Sequence, residues 1–251
     1  MAGKYKPTSL PSPWLKRVWI DDAAVEDRST YPFFLPLFRS EGFAFEFDLP
    51  ITIIVGENGT GKSTLLEGIA VLAGFDEAGG GQGYRPVDHS KAIAEDGGAL
   101  ARYLKASWLP KIGKGWFFRA ETFFSVARYL DESGSQFADF LSHSHGEGFM
   151  RFFEERCSRQ GLFIFDEPES ALSPGRQFEF LKLLRNLAEQ GTLQAIIATH
   201  SPILMAMPGA KLWQIDRGGV RQVKLEETEH YRLLREFILD PRGTVDVMLN
   251  D

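Results

Sequence analysis

Nine consecutive residues form a motif that is suited to holding phosphate. Residues 56–64 read GENGTGKST and directly follow the apolar run 51–55. In this G-x-x-x-x-G-K-S spacing, glycines let backbone N–H groups surround an anion, Lys62 reaches the outer phosphates and the Ser63 hydroxyl can ligate Mg²⁺. The motif therefore predicts a nucleoside triphosphate site in a strand-loop-helix unit. Its candidate contacts are Glu57, Asn58, Gly59, Thr60, Gly61, Lys62, Ser63 and Thr64.

Two adjacent carboxylates follow a second apolar segment. Residues 162–165 form a short continuous apolar run, typical of a buried parallel strand, and Asp166 and Glu167 come directly after it. Asp166 can hold Mg²⁺, while Glu167 can orient or deprotonate an attacking water. An apolar run before two acids is weak evidence by itself, but the phosphate loop upstream favours a catalytic interpretation.

A histidine follows a third predicted strand. Residues 194–199 form this strand, and His200 stands at its tip. In open α/β sheets, ligands bind at the carboxyl ends of parallel strands. We therefore expect His200 to reach the γ-phosphate, with a surface or core histidine as the alternative interpretation.

Two helices that position these residues have clear local signals. The helix after the phosphate loop should run from about Lys62 to Ala73 and end at Gly74. Ser173 can cap the helix after the acidic pair, with Pro174 at its first position. The predicted buried residues of that second helix, which recur at helical spacing, are Phe178, Leu181, Leu184 and Leu187.

The N-terminal fifth of the chain predicts strands and turns. Residues 14–20 form the first strand, residues 31–38 an aromatic stretch broken by prolines, and residues 43–47 an alternating segment of period two. We expect them to form an antiparallel flank beside the nucleotide core. The overall expectation is an α/β fold with a mostly parallel core sheet.

Residues 76–160 differ in character from the core. The glycine-rich stretch 79–83 supplies no side chains for packing and predicts a mobile loop, and residues 99–160 read as mostly helical with a strand at 115–118. We expect a mainly helical subdomain, about residues 76–160, inserted into a single domain of residues 1–251. Farther along, the pattern predicts a strand pair, residues 211–215 and 220–225, and a helix near residues 229–239.

Composition narrows the class of protein. The chain has 251 residues, 43% of them hydrophobic and 25% charged, with a net charge of −6 that gives no global attraction to nucleic acid or to an acidic membrane. The single Cys157 cannot form an internal disulfide, and the first residues lack the apolar core of a signal peptide. No apolar stretch approaches the roughly 20 residues of a membrane span. These features predict a cytoplasmic protein.

Three segments together resemble the ABC-type ATPases. GENGTGKST, FIFDEPESALS and IIATHSP are similar to the Walker A segment, the Walker B segment with its D-loop, and the switch-histidine segment. The resemblance extends over nearly the whole chain and includes small stand-alone bacterial ATPases, which are similar to the ATPase heads of SMC and DNA-repair proteins. It implies that the nucleotide is ATP and that Mg²⁺ is the cofactor.

The resemblance also implies a mechanism of ATP hydrolysis. Lys62 and the loop amides would offset charge on the phosphates, and Ser63 and Asp166 would position Mg²⁺. Glu167 would orient the water for in-line attack, and His200 would sense or stabilise the γ-phosphate.

A signature segment is implied upstream of Walker B, and residues 144–147, SHGE, stand in that place. Ser144, the Gly146 backbone and the N-terminus of a helix through residues 150–156 would make an anion site. In the family, this site closes on the γ-phosphate held by the opposite subunit. The resemblance therefore implies a head-to-tail homodimer with two ATP molecules at its interface.

The chain departs from the transporter pattern in three places. The signature reads SHGE where transporters typically have LSGGQ, residues 170–173 lack the usual D-loop aspartate, and a clear Q-loop glutamine is missing. Glu121 is a candidate replacement for that glutamine, with helix capping as its alternative role. These departures weaken membership of the transporters more than they weaken ATP hydrolysis.

Rival functions and the base contact stay open at this level. The alternatives are an ATPase subunit of a membrane transporter, a nucleic-acid-linked repair or defence ATPase, and a nucleotide-gated interaction module that barely turns over. An aromatic side chain could stack on adenine, although packing of the flanking strands is the favoured use of each candidate. The candidates are Trp14, Trp19, Tyr31 and Phe33.

Overall fold

A computed structural model describes residues 7–77, 79–82, 97–119 and 145–250 of the chain. Within these ranges the strands form two sheets, one of three and one of six strands. The strands, in chain order, are β1 (Leu15–Ile20), β2 (Ala44–Glu46), β3 (Ile51–Gly56), β4 (Leu104–Trp108), β5 (Gly115–Arg119), β6 (Gly161–Asp166), β7 (Leu193–Ala198), β8 (Lys211–Asp216) and β9 (Gly219–Gln222). The helices are α1 (Lys62–Ala73), α2 (Gly97–Ala101), α3 (His145–Arg156), α4 (Pro174–Glu189), α5 (Pro202–Met205), α6 (Glu229–Leu239) and α7 (Pro241–Asn250).

The six-stranded sheet has the order β5-β6-β7-β3-β8-β9. Its strands pair in parallel from β5 to β8, and β9 pairs antiparallel to β8 at the edge. The register sets Ala198 opposite both Ile54 and Asp166. The carboxyl ends of β3, β6 and β7 therefore lie at one level, which is where a ligand binds in such a sheet. The predicted mostly parallel core is confirmed.

The antiparallel flank is the smaller sheet, with the order β2-β1-β4. Strands β1 and β2 confirm the predicted flank. Residues 31–38, by contrast, form turns and not a strand. Residues 104–108, which the sequence pattern placed in a mostly helical region, are strand β4 and pair antiparallel with β1. The side chains of β4 alternate between buried and exposed positions. This partner lies far away in sequence, so local helical signals were overridden by tertiary pairing.

The core forms on both faces of the six-stranded sheet, because side chains on each strand alternate between them. Phe163 and Phe165 of β6 pack with the helices α3 and α4 on one face, while Leu162 and Ile164 pack with α1 and the antiparallel sheet on the other. Many of the largest buried side chains on the first face are phenylalanines. They are Phe149, Phe152, Phe153, Phe163, Phe165 and Phe180.

The buried Gln194 side chain links the two sheets through hydrogen bonds. The Gln194 carboxamide oxygen accepts from the amides of Trp14 and Leu15, each at 2.8 Å, and its nitrogen donates to the Leu15 carbonyl at 2.9 Å. Gln194 is buried, so these bonds satisfy backbone groups that have no access to water. The bonds hold the N-terminal flank against β7, the strand that precedes His200.

Helix boundaries follow the local signals closely. Gly74 ends α1 in the left-handed conformation with φ +85°, and the Ser173 hydroxyl accepts from the Arg176 amide at the start of α4. The predicted core pattern of α4 was wrong at Phe178, which is 62% exposed, because Gln177 takes a buried place on that helix instead. The last helix, α7, was not predicted.

The glycine stretch is packed rather than mobile where it is described. The Gly80 amide donates to the Phe117 carbonyl and the Phe117 amide donates to the Gly80 carbonyl, both at 2.9 Å. A Cβ on Gly81 would lie 2.7 Å from the Trp116 ring. Glycine is needed here because the backbone lies directly against the edge of the sheet, which corrects the predicted loop.

Candidate functional site

The phosphate loop is shaped by close approach of backbone to backbone. A Cβ on Gly56, the last residue of β3, would lie 2.4 Å from the Ile215 carbonyl oxygen. Gly61 has φ +106° and a Cβ there would press on Leu37 and Phe38 at 3.2 Å. Leu37 also braces the loop, because its amide donates to the Thr60 carbonyl at 3.2 Å. These glycines let the chain turn sharply from β3 into α1, whose N-terminus then faces the loop.

Lys62 lies inside the loop, with 5% of its surface exposed. Its Nζ donates to the carbonyls of Gly56 at 2.7 Å and Glu57 at 2.9 Å. Burial lowers the pKa of Lys62, while the nearby carboxylates of Glu167 and Asp166 act in the opposite direction. The ammonium group is therefore held at the centre of the loop, next to the acidic end of β6.

Ser63 and Asp166 meet across the site. The Ser63 hydroxyl donates to Oδ1 of Asp166 at 3.1 Å. Asp166 is buried, with 5% of its surface exposed, so its carboxylate depends on such partners. Mg²⁺ takes oxygen ligands and is usually held by one or two carboxylates together with substrate phosphates. A hydroxyl and a carboxylate side by side beside a phosphate loop fit this cation.

Two charged residues that the sequence analysis missed border Asp166. Arg119, at the end of β5, forms an ion pair with Glu67 of α1 at 2.7 Å, and its Nε lies 3.7 Å from Asp166. The register pairs Arg119 directly with Asp166, so an end-of-strand arginine was a usable signal. Burial raises the pKa of Glu67 to about 7, outweighing the opposite effect of the Arg119 charge.

Glu167 adopts a left-handed backbone conformation, with φ 50° and ψ 53°. Among the described non-glycine residues it alone has a positive φ, which is costly and typical of functional positions. Its amide donates to the Ala198 carbonyl at 3.0 Å, which fixes it beside the end of β7. Its Oε1 lies 3.4 Å from Nε2 of His200. The structure thus brings the residue expected to orient the attacking water next to the residue expected to reach the γ-phosphate.

Glu169 holds the backbone of His200 and was not predicted. Its carboxylate accepts from the His200 amide at 2.6 Å and from the Thr199 hydroxyl at 2.8 Å. Burial raises the pKa of Glu169, and these two hydrogen bonds lower it. Glu169 lies in the short 3₁₀ turn Pro168–Ala171, so it ties the turn after β6 to the end of β7.

A second histidine, His230, contacts the first. Nδ1 of His200 and Nε2 of His230 are 2.9 Å apart, and the ring centroids are 5.0 Å apart. His230 belongs to the first turn of α6, which no motif connected with the site. Burial lowers the pKa of both imidazoles, and the Lys62 charge adds to that effect in each case.

A cleft of about 790 Å³ opens over the phosphate loop. Its walls are Pro36, residues 55–60, residues 214–218 and residues 228–230. Residues 55–60 therefore line a concavity that is large enough for a nucleotide.

The aromatic side chains considered for stacking on the base differ in their burial. Trp14 and Phe33 are buried, which supports the packing interpretation, and the half-buried Trp19 ring lies 5.5 Å from the Arg17 guanidinium. Tyr31 stays beside the loop, with its hydroxyl 3.1 Å from Oγ1 of Thr64. Phe34, which was not a candidate, packs edge-on against Tyr31 and is 54% exposed.

Part of the predicted signature lies outside the described residues. Ser144 and Glu121 fall in the range 120–144 and their roles stay predictions. Gly146 is the second residue of α3, which starts at His145. Cys157, just after this helix, is buried, and burial raises the pKa of its thiol. No helix within the described ranges is long and apolar enough to cross a membrane.

Comparisons with known proteins point in the same direction as the site. Residues 136–206 match the family described as "AAA domain, putative AbiEii toxin, Type IV TA system". The chain is 27% identical over 190 residues to the molybdate import ATP-binding protein MolC of Haemophilus influenzae, across 66% of this chain and 70% of that protein. It is 41% identical over 59 residues to the protein ea59 of Escherichia phage lambda, across 23% of this chain and 11% of that protein.

Among solved structures, the chain is similar to cbiO1 from Clostridium perfringens, part of the ABC transporter complex cbiONQ. The TM-score is 0.46 at 19% identity, over 82% of this chain and 91% of that one. The phosphate loop, with its serine beside the strand-end aspartate, and the sequence matches show that the chain is similar to ATP-binding proteins over part of its length.

Proposed function

We propose that the chain hydrolyses ATP to ADP and phosphate with Mg²⁺ as its cofactor. The observation that carries this proposal is the 3.1 Å contact between the Ser63 hydroxyl and Asp166, which joins the phosphate loop to the acidic strand end. A serine hydroxyl and an aspartate carboxylate are the ligands with which P-loop enzymes hold this cation. Release of phosphate from ATP by the purified chain, with and without Mg²⁺, tests the proposal.

In the proposed mechanism, water attacks the γ-phosphorus in line with the leaving ADP. A bond forms between the water oxygen and phosphorus while the bond to the bridging oxygen of ADP breaks. Lys62 and the loop amides offset the negative charge of the phosphates, and bound Mg²⁺ adds to that neutralisation. Glu167 orients the water and accepts its proton, and His200, 3.4 Å from Glu167, donates a hydrogen bond to the γ-phosphate.

The nucleotide base is proposed to lie against the Tyr31 and Phe34 rings. Tyr31 contacts Thr64 of the phosphate loop, so the base of a nucleotide whose phosphates fill the loop falls within reach of this pair. The Phe34 ring is 54% exposed and packs against Tyr31, and an exposed aromatic face at this position supports stacking. Trp14 and Phe33 are buried, in line with the favoured packing role, and are not proposed as base contacts.

We further propose that the active form is a head-to-tail homodimer. The helix α3 begins at the predicted signature segment, and its N-terminal amides favour an anion. In the proposed dimer, Ser144 and the Gly146 backbone close on the γ-phosphate bound by a second copy. The dimer would therefore form when ATP is bound and come apart after hydrolysis.

A role as the ATPase subunit of a membrane transporter is the second candidate. The match to MolC, a molybdate import ATP-binding protein, over 66% of this chain favours it. The departures in the signature and the D-loop argue against it. Co-purification of a membrane protein with the tagged chain would establish this role, and its consistent absence from detergent extracts would argue for a different partner.

A nucleic-acid-linked or defence function is the third candidate. Residues 136–206 match a family whose description names an AbiEii toxin, and this match favours a defence function. DNA or RNA would then stimulate ATP hydrolysis, with a strong dependence on salt concentration because phosphate contacts release counterions. Unchanged turnover across both nucleic acids would argue against this candidate.

A further inference from the structure

We propose that His230 is a positioning residue for His200, to which it donates one hydrogen bond that fixes the tautomer and rotation of the ring. The observation behind the proposal is the 2.9 Å separation of His230 Nε2 and His200 Nδ1. The inference deepens the proposed ATPase function and rests on it, since His200 is the residue proposed to meet the γ-phosphate. It makes the helix α6 part of the catalytic site.

The direction of the hydrogen bond follows from the other side of the His200 ring. Nε2 of His200 lies 3.4 Å from a carboxylate oxygen of Glu167, and an ionised carboxylate accepts hydrogen bonds without donating them. A proton on Nε2 makes this 3.4 Å approach electrostatically attractive, although it lacks the geometry of a hydrogen bond, whereas a bare Nε2 would place its lone pair near a negative oxygen. Neutral imidazole carries one ring proton, so Nδ1 of His200 is an acceptor and Nε2 of His230 is the donor.

The surroundings favour two neutral rings. Burial lowers the pKa of His200, with contributions from the Lys62 and His230 charges in the same direction and from Glu167 in the opposite direction. Burial likewise lowers the pKa of His230, which faces Lys62 as well as the carboxylates of Glu229 and Glu57. With one proton on each ring, and that of His200 on Nε2, only His230 can donate in the His230–His200 hydrogen bond.

His230 is itself held in place by the start of α6. Thr228 is buried and caps the helix, because its hydroxyl accepts from the Tyr231 amide at 3.4 Å and donates to the Leu225 carbonyl at 2.7 Å. An apolar cleft of about 440 Å³ lies beside the histidine pair, with Pro202, Leu233 and Phe237 among its walls. Both rings line this cleft, so α6 presents His230 to His200 from a fixed, capped first turn.

Two constraints then determine where the proton on His200 points. Glu169 fixes the backbone of His200 through a 2.6 Å hydrogen bond, and His230 fixes Nδ1 of the ring. Without His230, a half-turn of the ring would exchange Nδ1 with a carbon and direct Nε2 away from Glu167. In part of the molecules, the N–H group of His200 would then be misplaced for its proposed hydrogen bond to the γ-phosphate.

Kinetics of three variants test this role. His230→Leu removes the donor, His230→Gln keeps an N–H donor near the position of Nε2, and Leu234→Ala truncates an apolar side chain one turn further along the same helix. We expect kcat for ATP hydrolysis to fall about 3- to 10-fold in His230→Leu, the loss of one hydrogen bond, with KM nearly unchanged. The His230→Gln and Leu234→Ala variants should keep wild-type kcat to within about twofold.

Three kinetic outcomes would overturn the proposal. They are an unchanged kcat in His230→Leu, an equal loss in His230→Gln, and an equal loss in Leu234→Ala, which would assign the effect to helix packing. Thermal unfolding of each variant shows whether it is folded.

A second readout needs no activity. Nitrogen NMR spectra of histidine-labelled protein report the tautomer of each of the 5 histidines, and His200→Gln assigns the signals of that ring. We expect His200 to carry its proton on Nε2 in the wild type and to become a mixture of tautomers in His230→Leu. A proton on Nδ1 of His200 in the wild type would overturn the proposal. If the wild type released no phosphate from ATP, the proposed function would fail while this spectrum would still decide the histidine contact.

Discussion

The Ser63 hydroxyl donates to the Asp166 carboxylate at 3.1 Å across 103 positions of the chain. This contact joins the end of the phosphate loop to the end of β6, so the two oxygens expected to hold Mg²⁺ lie side by side. Backbone bonds support the same arrangement, because the Glu167 amide donates to the Ala198 carbonyl and the Thr199 amide donates to the Ile54 carbonyl. The catalytic residues therefore depend on the level arrangement of the carboxyl ends of β3, β6 and β7.

Removal of the loop lysine should weaken nucleotide binding itself. Lys62→Ala is expected to reduce ATP affinity by roughly 10- to 100-fold, since charge-assisted hydrogen bonds contribute about 1.5–3 kcal/mol each. Titration calorimetry with ATP measures the change. Lys182→Ala, an exposed lysine of α4, is the control and should bind as the wild type does. Equal ATP affinity in Lys62→Ala would remove Lys62 from the phosphate site.

Truncation of Phe34 should affect substrate binding without affecting chemistry. Phe34→Ala is expected to raise KM for ATP about 5-fold or more, because a stacked base contributes about 1–3 kcal/mol, while kcat stays near the wild-type value. Phe178→Ala removes a ring of similar exposure from α4 and serves as the matched control. If both variants have the same KM as the wild type, the base lies elsewhere.

The raised pKa of Glu67 predicts that the folded protein loses stability as the pH rises. Its pKa rises from 4.5 to about 7 on folding, so the folded chain binds more protons than the unfolded chain between these values. The free energy of unfolding should therefore fall as pH rises from about 4.5 to 7, by up to about 3 kcal/mol from this group. The stabilisation is fully present below pH 4.5.

The Glu67→Gln variant isolates this contribution. Glutamine keeps an acceptor for Arg119 but does not titrate, so the melting temperature of the variant should fall less steeply with pH than that of the wild type. Parallel melting curves from pH 4.5 to 7 provide the measurement. Identical slopes for the two proteins would show that the Glu67 pKa is not raised.

The signature segment can be tested by placing a bulky charge in it. Ser144→Arg should abolish the ATP-dependent dimer and the turnover that requires it, because the side chain would fill the proposed contact with the opposite γ-phosphate. Light scattering with ATP, in a Glu167→Gln background, measures the dimer. Ser158→Arg, the same substitution beyond the other end of α3, should dimerise normally. Unaltered pairing and turnover in Ser144→Arg would refute the composite site.

Local signals were sufficient for the phosphate loop and its neighbours. The glycine spacing, the apolar runs before Asp166 and His200, and the Ser173 cap each act within a few residues, and the structure has the strands and helices that they predict. The order of the strands was not readable in this way. Strand β4 was missed because its paired residues in β1 lie 84 to 93 positions earlier, which no local pattern encodes.

The residues that support the site were missed for the same reason. Glu169 and His230 reach His200 from different elements, across 31 and 30 positions of the chain. Glu67 and Arg119 likewise meet only after α1 and β5 have packed together. Residue types with a fixed motif spacing could be predicted, whereas partners brought together by packing required the fold.

Phosphate release by the Glu167→Gln variant tests the central claim most directly. The amide keeps the size of the side chain but cannot accept a proton, so we predict ATP affinity within about threefold of the wild type and hydrolysis reduced about 100-fold or more. Glu179→Gln, an exposed glutamate of α4, should hydrolyse ATP at the wild-type rate. Full hydrolysis by Glu167→Gln would contradict the proposed role of Glu167 and the mechanism built on it.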